Sequence, residues 1–400
     1  MKKFALLALL AAGCASAQPA DLTPEQKAMA ATGNDFSFRF LQQIDRNEEK
    51  DWFVSPVSLQ FLLSVVLNGA QNATSDEIAR TLGFEAAQLA DLNAYSRAIL
   101  DRLPQLDPAT KLTIGNAVFV NKMYPIEKKY QNLVKKYYDA EVRNLDFKSE
   151  KATLGTINGW CNKKTNGLIP SVLDSVDPDM FAYLLNALYF KGAWSWPFDK
   201  RWTEERTFRL ESGQEKKVKM MEKERKYAYS ENDLCQQLCL PYGNHSFAMY
   251  VLLPKEGHTV TEVLASLNGE AWSEMRRHMY SDTKINVWLP RFETKYHIKL
   301  NDILKEMGMP GSFAPGADFK AMSRNADFLD FVMQDAIIKV DEEGSEAAAV
   351  TTAGMMGATA VPIPPKIIDF HCDHPFLYFI TEATTGSILF AGEYTGKSEQ

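Results

Sequence analysis

The chain has 400 residues, of which 46% are hydrophobic and 24% are charged, and its formal net charge is −7. This ordinary globular composition excludes an intrinsically disordered chain, a collagen-like rod and a small disulfide scaffold. The 51 Asp and Glu residues outnumber the 44 Lys and Arg residues, so nucleic acid is excluded as a partner, because binding a phosphate backbone requires a basic excess.

The first 17 residues have the features of a secretory signal. Two lysines precede an apolar run over residues 4–12, which is too short to cross a bilayer as a helix, and small residues follow it. Residues 15–17 (Ala-Ser-Ala) allow cleavage after residue 17. Alternatively, Cys14 ends a segment that resembles a bacterial lipobox and becomes a lipid-modified N-terminus, and we favour this second interpretation. The sequence therefore predicts export, as a secreted extracellular protein or as an outer-membrane or cell-surface lipoprotein held to the membrane through Cys14.

Helical patterns dominate the next part of the chain. Apolar spacing predicts a helix from 36 to 44, with a polar leader over 20–34 before it. Ser55 followed by Pro56 is typical of a helix start, with the serine as cap and the proline in the first turn. Residues 74–77 (Thr-Ser-Asp-Glu) predict a capping box that opens another helix. Further helices are predicted at about 88–102, 126–138, 150–165, 260–278 and 297–308.

Strand patterns are interleaved with these helices. Apolar residues alternate over 112–120, which indicates a strand, and residues 181–190 are apolar on both faces, which indicates a buried central strand. Short strands are expected over most of 203–295, a long strand at 329–340, and short strands in the last 35 residues. Since helices and strands mix without repeats or a linker, we expect an α+β fold in a single domain.

The sequence offers no site for enzyme, metal or cofactor chemistry. Residues 371–374 (His-Cys-Asp-His) bring histidines together, but consecutive residues point in different directions and no second ligand pair has metal spacing. The segment 392–398 is one residue short of a phosphate-binding loop. Beyond Cys14 four cysteines remain, and Cys235 and Cys239 lie roughly 13 Å apart along a predicted strand, so isolated buried thiols are expected.

One segment fits none of these patterns. Residues 344–360 (GSEAAAVTTAGMMGATA) have small side chains almost throughout, no aromatic residue and one charge, at Glu346. The segment is too apolar for a solvated loop, and its side chains are too small for a core element. It therefore requires an explanation of its own.

Residues 340–351 (VDEEGSEAAAVT) resemble the hinge of an inhibitory serpin, and residues 369–380 resemble that family's C-terminal signature. Three further blocks of the family occur in the expected order, at 53–59, 186–194 and 289–292. The chain is therefore similar to the serpin family over about residues 30–397, which we expect to form a serpin domain.

The resemblance implies one domain of three β-sheets and eight or nine helices, with an exposed reactive-centre loop at 343–362. It implies a suicide inhibitor of extracellular serine proteases, with papain-like cysteine proteases as a further class. The protease cuts the loop and forms an acyl-enzyme, and the loop then inserts into the main sheet as a new strand. The protein is expected to be a monomer that is not itself an enzyme and needs no cofactor. The alternative is a non-inhibitory serpin that acts as a binding or structural module. The usual mark of that class is a hinge with Pro or bulky charged residues, and this hinge has neither.

The resemblance also assigns residues. Counting from Glu342 places the reactive bond at Ala358–Thr359, with Met356–Gly357 and Thr359–Ala360 as alternatives. The implied hinge consists of Glu342, Glu343, Gly344, Ser345, Glu346, Ala347, Ala348, Ala349, Val350 and Thr351. The implied sheet-opening region consists of Ser55, Ser58, Asn186, Trp194 and Gln334.

The hinge has the alternation that an inserting strand needs. Ser345, Ala347, Ala349 and Thr351 are small and uncharged, so they are expected to face the core, whereas the set that begins with Glu346 is expected to face solvent. Many serpins have a titratable histidine near the position of Gln334. A glutamine side chain does not titrate near neutral pH, so pH control of sheet opening at this point is in doubt. No Lys or Arg occurs from 345 to 365, which favours elastase-like targets, followed by chymotrypsin- and subtilisin-like ones.

Overall fold

The structure is a computed structural model that describes residues 21–48, 50–281, 283–326, 328–345 and 367–397. Over these residues it contains nine α-helices and three β-sheets, which confirms the predicted α+β fold. The helices are α1 (Pro24–Asn47), α2 (Pro56–Leu67), α3 (Asn72–Leu82), α4 (Leu89–Leu106), α5 (Lys128–Tyr138), α6 (Glu150–Lys164), α7 (Val260–Ala265), α8 (Gly269–Arg277) and α9 (Asn301–Glu306). The strands are β1 (Trp52–Val54), β2 (Lys111–Asn121), β3 (Glu141–Leu145), β4 (Ala182–Ala193), β5 (Thr203–Arg209), β6 (Glu215–Lys226), β7 (Ala228–Glu231), β8 (Cys235–Tyr242), β9 (Phe247–Pro254), β10 (Lys284–Pro290), β11 (Phe292–Lys299), β12 (Phe331–Val340), β13 (Gly344–Ser345), β14 (Ile367–His371), β15 (Phe376–Glu382) and β16 (Ile388–Tyr394).

The start of α2 is as predicted, but the start of α1 is not. Ser55 caps α2, because its side-chain oxygen accepts from the N–H of Ser58. Helix α1 begins at Pro24 behind a capping box at Thr23, so the prediction of a polar leader over 20–34 is wrong. The early turns of α1 bury small or polar side chains such as Asn34, which an apolar pattern does not detect.

The predicted capping box at residues 74–77 is also wrong. Helix α3 begins earlier, at Asn72, and its cap position makes no side-chain hydrogen bond. The Thr74 hydroxyl accepts instead from the backbone N–H of Asp318, at 2.8 Å. The Glu77 carboxylate accepts from the Gly311 N–H and the Ser312 hydroxyl, at 2.9 and 2.7 Å. Contacts that are distant in sequence therefore use both side chains of the expected motif.

The helix predicted over 297–308 is partly a strand. Strand β11 continues to Lys299, and only Asn301–Glu306 is helical. Tyr296 and Ile298 alternate with exposed residues along β11, and pairing of this strand with β12 fixes the extended conformation.

The strands form one sheet of four and two of six. The four-stranded sheet has the order β14-β10-β6-β5, and one six-stranded sheet has the order β1-β16-β15-β9-β8-β7. The second six-stranded sheet, which we call the main sheet, has the order β11-β12-β13-β4-β2-β3. One face of the main sheet joins the large hydrophobic core with α2, and the other carries a smaller core with α6.

The four cysteines of the described residues are free thiols, and Cys235 and Cys239 both lie on β8 as predicted. Burial raises the pKa of the thiols at Cys161, Cys235, Cys239 and Cys372. They are therefore protonated and poorly nucleophilic near neutral pH. Within the described ranges, no helix combines the length and the apolar character needed to cross a membrane.

Candidate functional site

The main sheet divides at its centre. Strands β12 and β4 run parallel and pair directly over five residues each, from Phe331 with Tyr183 to Asp335 with Ala187. Beyond this point the two strands separate, and β13 lies between their far ends. Ser345 pairs with Val340 on one side and with Gly192 on the other, antiparallel to both strands. We call this separation of β12 from β4 the fork.

The chain enters the fork through a tight turn after β12. The N–H of Asp341 donates to the carbonyl of Gly344, and the N–H of Glu343 donates to the Asp341 carboxylate, both at 2.9 Å. Gly344 has φ +153, and a Cβ there would lie 2.1 Å from the carbonyl oxygen of Gly192. Only glycine fits this close approach of two backbones, so the turn fixes where the hinge enters the sheet.

Two acidic side chains of the turn have partners outside the main sheet, on β5, just before β5 and just after β10. The Glu342 carboxylate is 2% exposed, accepts from the Thr203 hydroxyl at 2.7 Å and lies 3.7 Å from Nε of Arg291. The Glu343 carboxylate pairs with Nζ of Lys200 at 2.8 Å on the surface. The turn is therefore attached outside the main sheet, while β13 is held inside it.

The side chain of Ser345 points into the large core. Its hydroxyl is fully buried and lies 2.6 Å from the hydroxyl of Tyr242. The Tyr242 ring stacks on Trp194, with ring centroids 4.5 Å apart, and the Trp194 indole donates to the Asp341 carbonyl at 2.9 Å. Burial raises the pKa of Tyr242, so its hydroxyl remains protonated and available to pair with Ser345. The hinge thus begins with its first inward side chain already in the core.

A buried polar network lies at the closed end of the fork, where α2 meets the sheet. Gln334 of β12 donates from Nε2 to Oδ1 of Asn186 on β4, at 2.7 Å, and its Oε1 accepts from the N–H of Ser55, at 2.8 Å. Asn186 donates in turn to the hydroxyl of Ser58 and to Oδ1 of Asn116, the latter at 2.7 Å. The network connects the two strands of the fork to each other and to the first turn of α2.

Helix α6 covers the closed end of the fork on the opposite face. Trp160 and Cys161 of α6 pack in one buried cluster with Ala187 of β4 and Met333 of β12. Any strand that enters the fork as far as the polar network must therefore pass beneath α6.

The structure places the predicted site residues at two levels of the fork. Ser55, Ser58, Asn186 and Gln334 meet in the polar network, whereas Trp194 lies at the hinge end, apart from them. The hinge residues 342–345 are described. The rest of the predicted hinge, residues 346–351, lies outside the described residues, as do Met356, Gly357, Ala358, Thr359, Ala360 and the predicted lipid site Cys14.

Sequence reasoning missed the residues that hold the hinge. Three of them lie far from the hinge in sequence and carry no motif of their own, namely Tyr242, Thr203 and Lys200. Arg291 lies in the family-like block 289–292, which was its one available signal. Their roles depend on tertiary contacts that residue spacing does not encode.

Comparisons with known proteins agree with this architecture. The family model described as "Serpin (serine protease inhibitor)" matches residues 31–396. Serpin B6 of Pongo abelii is 33% identical, covering 92% of this chain and 99% of its own. Tengpin, a thermophilic serpin in its native state, matches with a TM-score of 0.83 and 28% identity, covering 94% and 95% of the two chains. Human thyroxine-binding globulin, solved as a complex with its ligand, matches with a TM-score of 0.85 and 26% identity, covering 94% of this chain and 100% of its own.

Proposed function

The chain belongs to the serpin family, and we propose that it is an inhibitory member, which traps serine proteases as a suicide substrate. Members of the family are generally protease inhibitors rather than enzymes. The observation that carries the proposal is the fork, where Ser345 of the hinge already pairs with both flanking strands and Gly344 pairs with β4. A strand that continued from them would complete the main sheet.

The pairing register of β13 supports this continuation. Because β13 is antiparallel to β12 and β4, each residue after Ser345 would pair with residues one step earlier on those two strands. Thr351, six residues after Ser345, would therefore pair with Gln334 on β12 and with Asn186 on β4. A strand in this register therefore enters between the two residues that join β12 to β4. Insertion must break their hydrogen bond and part the five paired residues below it.

The side chains of the inserting segment suit the space they would enter. In the same register Ala349 comes between Leu188 and Ala336, which are fully buried in the large core. The small alternating set predicted from the sequence thus falls on the core face.

The prediction that the other set faces solvent needs correction. Glu346 comes between Lys191 and Lys339, at the open part of the sheet. Val350 comes between Ala187 and Asp335, beside Cys161 of α6, which covers the closed end of the fork. Only the start of this set can face solvent, because α6 lies over the rest.

The energy for trapping comes from strand insertion. A new central strand pairs on both sides, and each new backbone hydrogen bond contributes about 1 kcal/mol net. About ten inserted residues therefore release on the order of 10–20 kcal/mol before ordering costs. The five pairs lost between β12 and β4 offset only part of this gain.

The chemistry resides in the protease. Its serine Oγ attacks the carbonyl carbon of Ala358, the bond to the nitrogen of Thr359 breaks, and that nitrogen leaves as an amine with the transferred proton. The ester that joins the two proteins is then carried away as the loop inserts, before water reaches it. Met356–Gly357 and Thr359–Ala360 remain the alternative bonds.

The loop composition supports particular targets. With no Lys or Arg from 345 to 365, a pocket that carries a buried carboxylate would remain unpaired. We propose elastase-like enzymes as first targets and chymotrypsin- and subtilisin-like enzymes next, with papain-like cysteine proteases as a further class.

A protease panel tests these proposals. Incubation with an elastase-like enzyme is expected to give a covalent complex that survives boiling in detergent, and sequencing of the released C-terminal peptide identifies the reactive bond. Ala358→Arg is the matched variant, and it should gain trypsin inhibition if Ala358–Thr359 is the bond. Cleavage by every protease without any complex would instead favour the non-inhibitory alternative.

We also propose that the protein acts outside the cytoplasm. The support is the signal at residues 1–17, and Cys14 would add a membrane anchor, because one cysteine carrying several acyl chains binds stably to a bilayer. Mass spectrometry of the natural protein should detect an acylated N-terminus at Cys14. An unmodified start at Gln18 would reduce this to simple secretion, and a retained Met1 would contradict export.

A further inference from the structure

A histidine and an aspartate face each other at the point where the main sheet divides. His297 of β11 pairs directly across from Asp335 of β12, and its Nδ1 lies 2.6 Å from the aspartate Oδ1. Asp335 is also the last residue of β12 that pairs with β4, opposite Ala187. The pair therefore marks the end of the closed part of the fork.

The two partners differ in their environment. The Asp335 side chain is 8% exposed, whereas the His297 side chain is 57% exposed. Asp335 lies near Cys161 of α6. Burial and, to a smaller extent, the nearby carboxylate raise the pKa of the Cys161 thiol to about 12. Lys50 and Asp174 are the other charged groups that act on His297. The carboxylate is thus buried beside α6, and its hydrogen-bonded partner can exchange protons with solvent.

We propose that His297 and Asp335 form a pH-dependent latch on the fork, in which the protonated histidine keeps the sheet closed and loss of its proton eases strand entry. The proposal rests on the proposed function, because the latch controls the insertion described above. In the register of β13, Val350 enters between Ala187 and Asp335, the pair that the latch adjoins.

The latch works because the closed and open sheets bind the proton of His297 differently. In the closed sheet the Asp335 carboxylate lies beside α6 and gains most from a cationic partner. For a strand to enter, Asp335 must separate from Ala187 and α6 must move aside, so in this opening sheet water reaches the carboxylate and the cation matters less. A proton that binds the closed state more tightly shifts the equilibrium toward it.

The direction of the titration agrees with this arrangement. The hydrogen bond to Asp335 raises the pKa of His297 above its ordinary value of 6.5, Asp174 adds to that rise, and Lys50 opposes it. Burial raises the pKa of Asp335, and His297 opposes that rise. A group whose pKa is raised in the folded state stabilises that state below its ordinary pKa and loses this contribution as pH rises through the raised value. The latch is therefore closed below about pH 6.5 and is released as pH rises through the raised pKa of His297.

This position is distinct from that of Gln334, where pH control was in doubt. Gln334 points toward α2 and cannot titrate, whereas Asp335 follows it and faces α6. The fork thus has a fixed polar network on one face and a titratable pair on the other.

Strand insertion can be measured without a protease. An N-acetylated synthetic peptide that copies residues 346–358 contains one carboxylate side chain and no group that titrates between about pH 6 and about pH 8.5. Its rate of annealing into the intact protein is followed by a gel shift across this range. We expect annealing to be about fivefold faster at the upper end, a modest factor because the histidine is more than half exposed.

Three variants separate the latch from a general pH effect. His297→Gln is expected to anneal rapidly at all pH values, because the cation is absent throughout. Asp335→Asn is expected to anneal at a pH-independent rate, because no buried carboxylate remains to lose its partner when His297 loses its proton. His258→Gln removes a surface histidine that pairs with Glu262 and should keep the wild-type pH dependence.

The outcomes distinguish the latch from the proposed function. A wild-type rate that is independent of pH, or a pH dependence that survives in His297→Gln, overturns the latch and leaves strand insertion intact. Failure of the peptide to anneal at any pH overturns both, because the latch acts only on a sheet that opens.

Discussion

At the scale of single residues, one buried hydroxyl pair holds the hinge in the sheet. The hydroxyls of Ser345 and Tyr242 are each other's partner in the core, 2.6 Å apart. We predict that Tyr242→Phe and Ser345→Ala each lower the free energy of unfolding by about 1–2 kcal/mol, because each leaves a buried hydroxyl without a partner. The double variant should cost less than the sum of the two, since both hydroxyls are then gone.

Thermal and urea unfolding of the four proteins measure this coupling. Strictly additive losses would mean that the two hydroxyls do not stabilise each other. The contact would then be a consequence of how the hinge packs and would not hold it in place.

A second residue-scale prediction concerns Glu393. Burial and the nearby Asp45 carboxylate raise its pKa to about 8, although its carboxylate accepts from the Trp52 indole at 2.9 Å. Because the raised pKa belongs to the folded state, stability is greatest below the ordinary value of 4.5 and falls as pH rises toward 8. Glu393→Gln keeps an oxygen acceptor for Trp52 and removes the ionisation. It should raise the free energy of unfolding by about 2 kcal/mol near pH 8.

The same substitution should change nothing near pH 4, where Glu393 is protonated in both states. Glu205→Gln serves as the control. The Glu205 side chain is 64% exposed, so this substitution should leave the free energy of unfolding unchanged at both pH values. Melting temperatures across pH 4–8 give the comparison. Equal effects of Glu393→Gln at the two ends of this range would contradict a raised pKa.

At the scale of elements, the register of β13 predicts which loop positions decide between inhibitor and substrate. Ala349 is expected to enter between Leu188 and Ala336 on the core face. Ala349→Arg would bury a cation without a partner, which costs several kcal/mol even after relaxation. Insertion then slows while acylation continues, so the variant should be cleaved without trapping the protease. The measurement is the molar ratio of inhibitor to protease needed for complete inhibition.

The register also selects a matched control for Ala349→Arg. Ala348 comes between Tyr189 and Ile337, both buried, so Ala348→Arg does not test a purely solvent-facing position. Glu346→Arg introduces the same side chain at the open part of the sheet, where Lys191 and Lys339 add only weak repulsion. It should remain an inhibitor. If both arginine variants behave alike, the register does not continue beyond Ser345.

The elements also differ in how far the sequence determined them. The start of α2 was predictable because Ser55 caps its own helix, so the signal and the structure share the same few residues. Thr74 has an equally good local signal, but its hydroxyl bonds to the backbone of Asp318, which no local pattern includes. The hinge could be located by its composition. Its anchor Tyr242 could not be predicted, because that contact exists only after three strands have assembled.

At the scale of the whole molecule, the main sheet is incomplete, because β12 and β4 separate at the fork. The large core is continuous behind the fork, while β12 and β4 are joined by only five pairs and one buried polar network. Local contacts on both faces of the main sheet keep the fork closed. Gln334 makes them on the face toward α2, and Asp335 makes them on the face toward α6. The stability of the native state is therefore limited at the fork, even though the core around it is extensive.

The last prediction follows from this incomplete sheet. Cleavage of the intact protein within residues 346–366, by a protease that is not trapped, should free the loop to insert and complete the main sheet. If about half of the gross ~10–20 kcal/mol remains after ordering costs and the loss of the five β12–β4 pairs, the melting temperature is higher by roughly 5–15 °C for a chain of this size. Ala349→Arg cleaved at the same bond should gain much less, because its buried arginine opposes insertion, which makes it the internal control. Calorimetry of the intact and cleaved forms measures the difference. If cleavage leaves the melting temperature of the wild type unchanged, the loop does not insert, and the fork must then be explained as a fixed feature of a binding module.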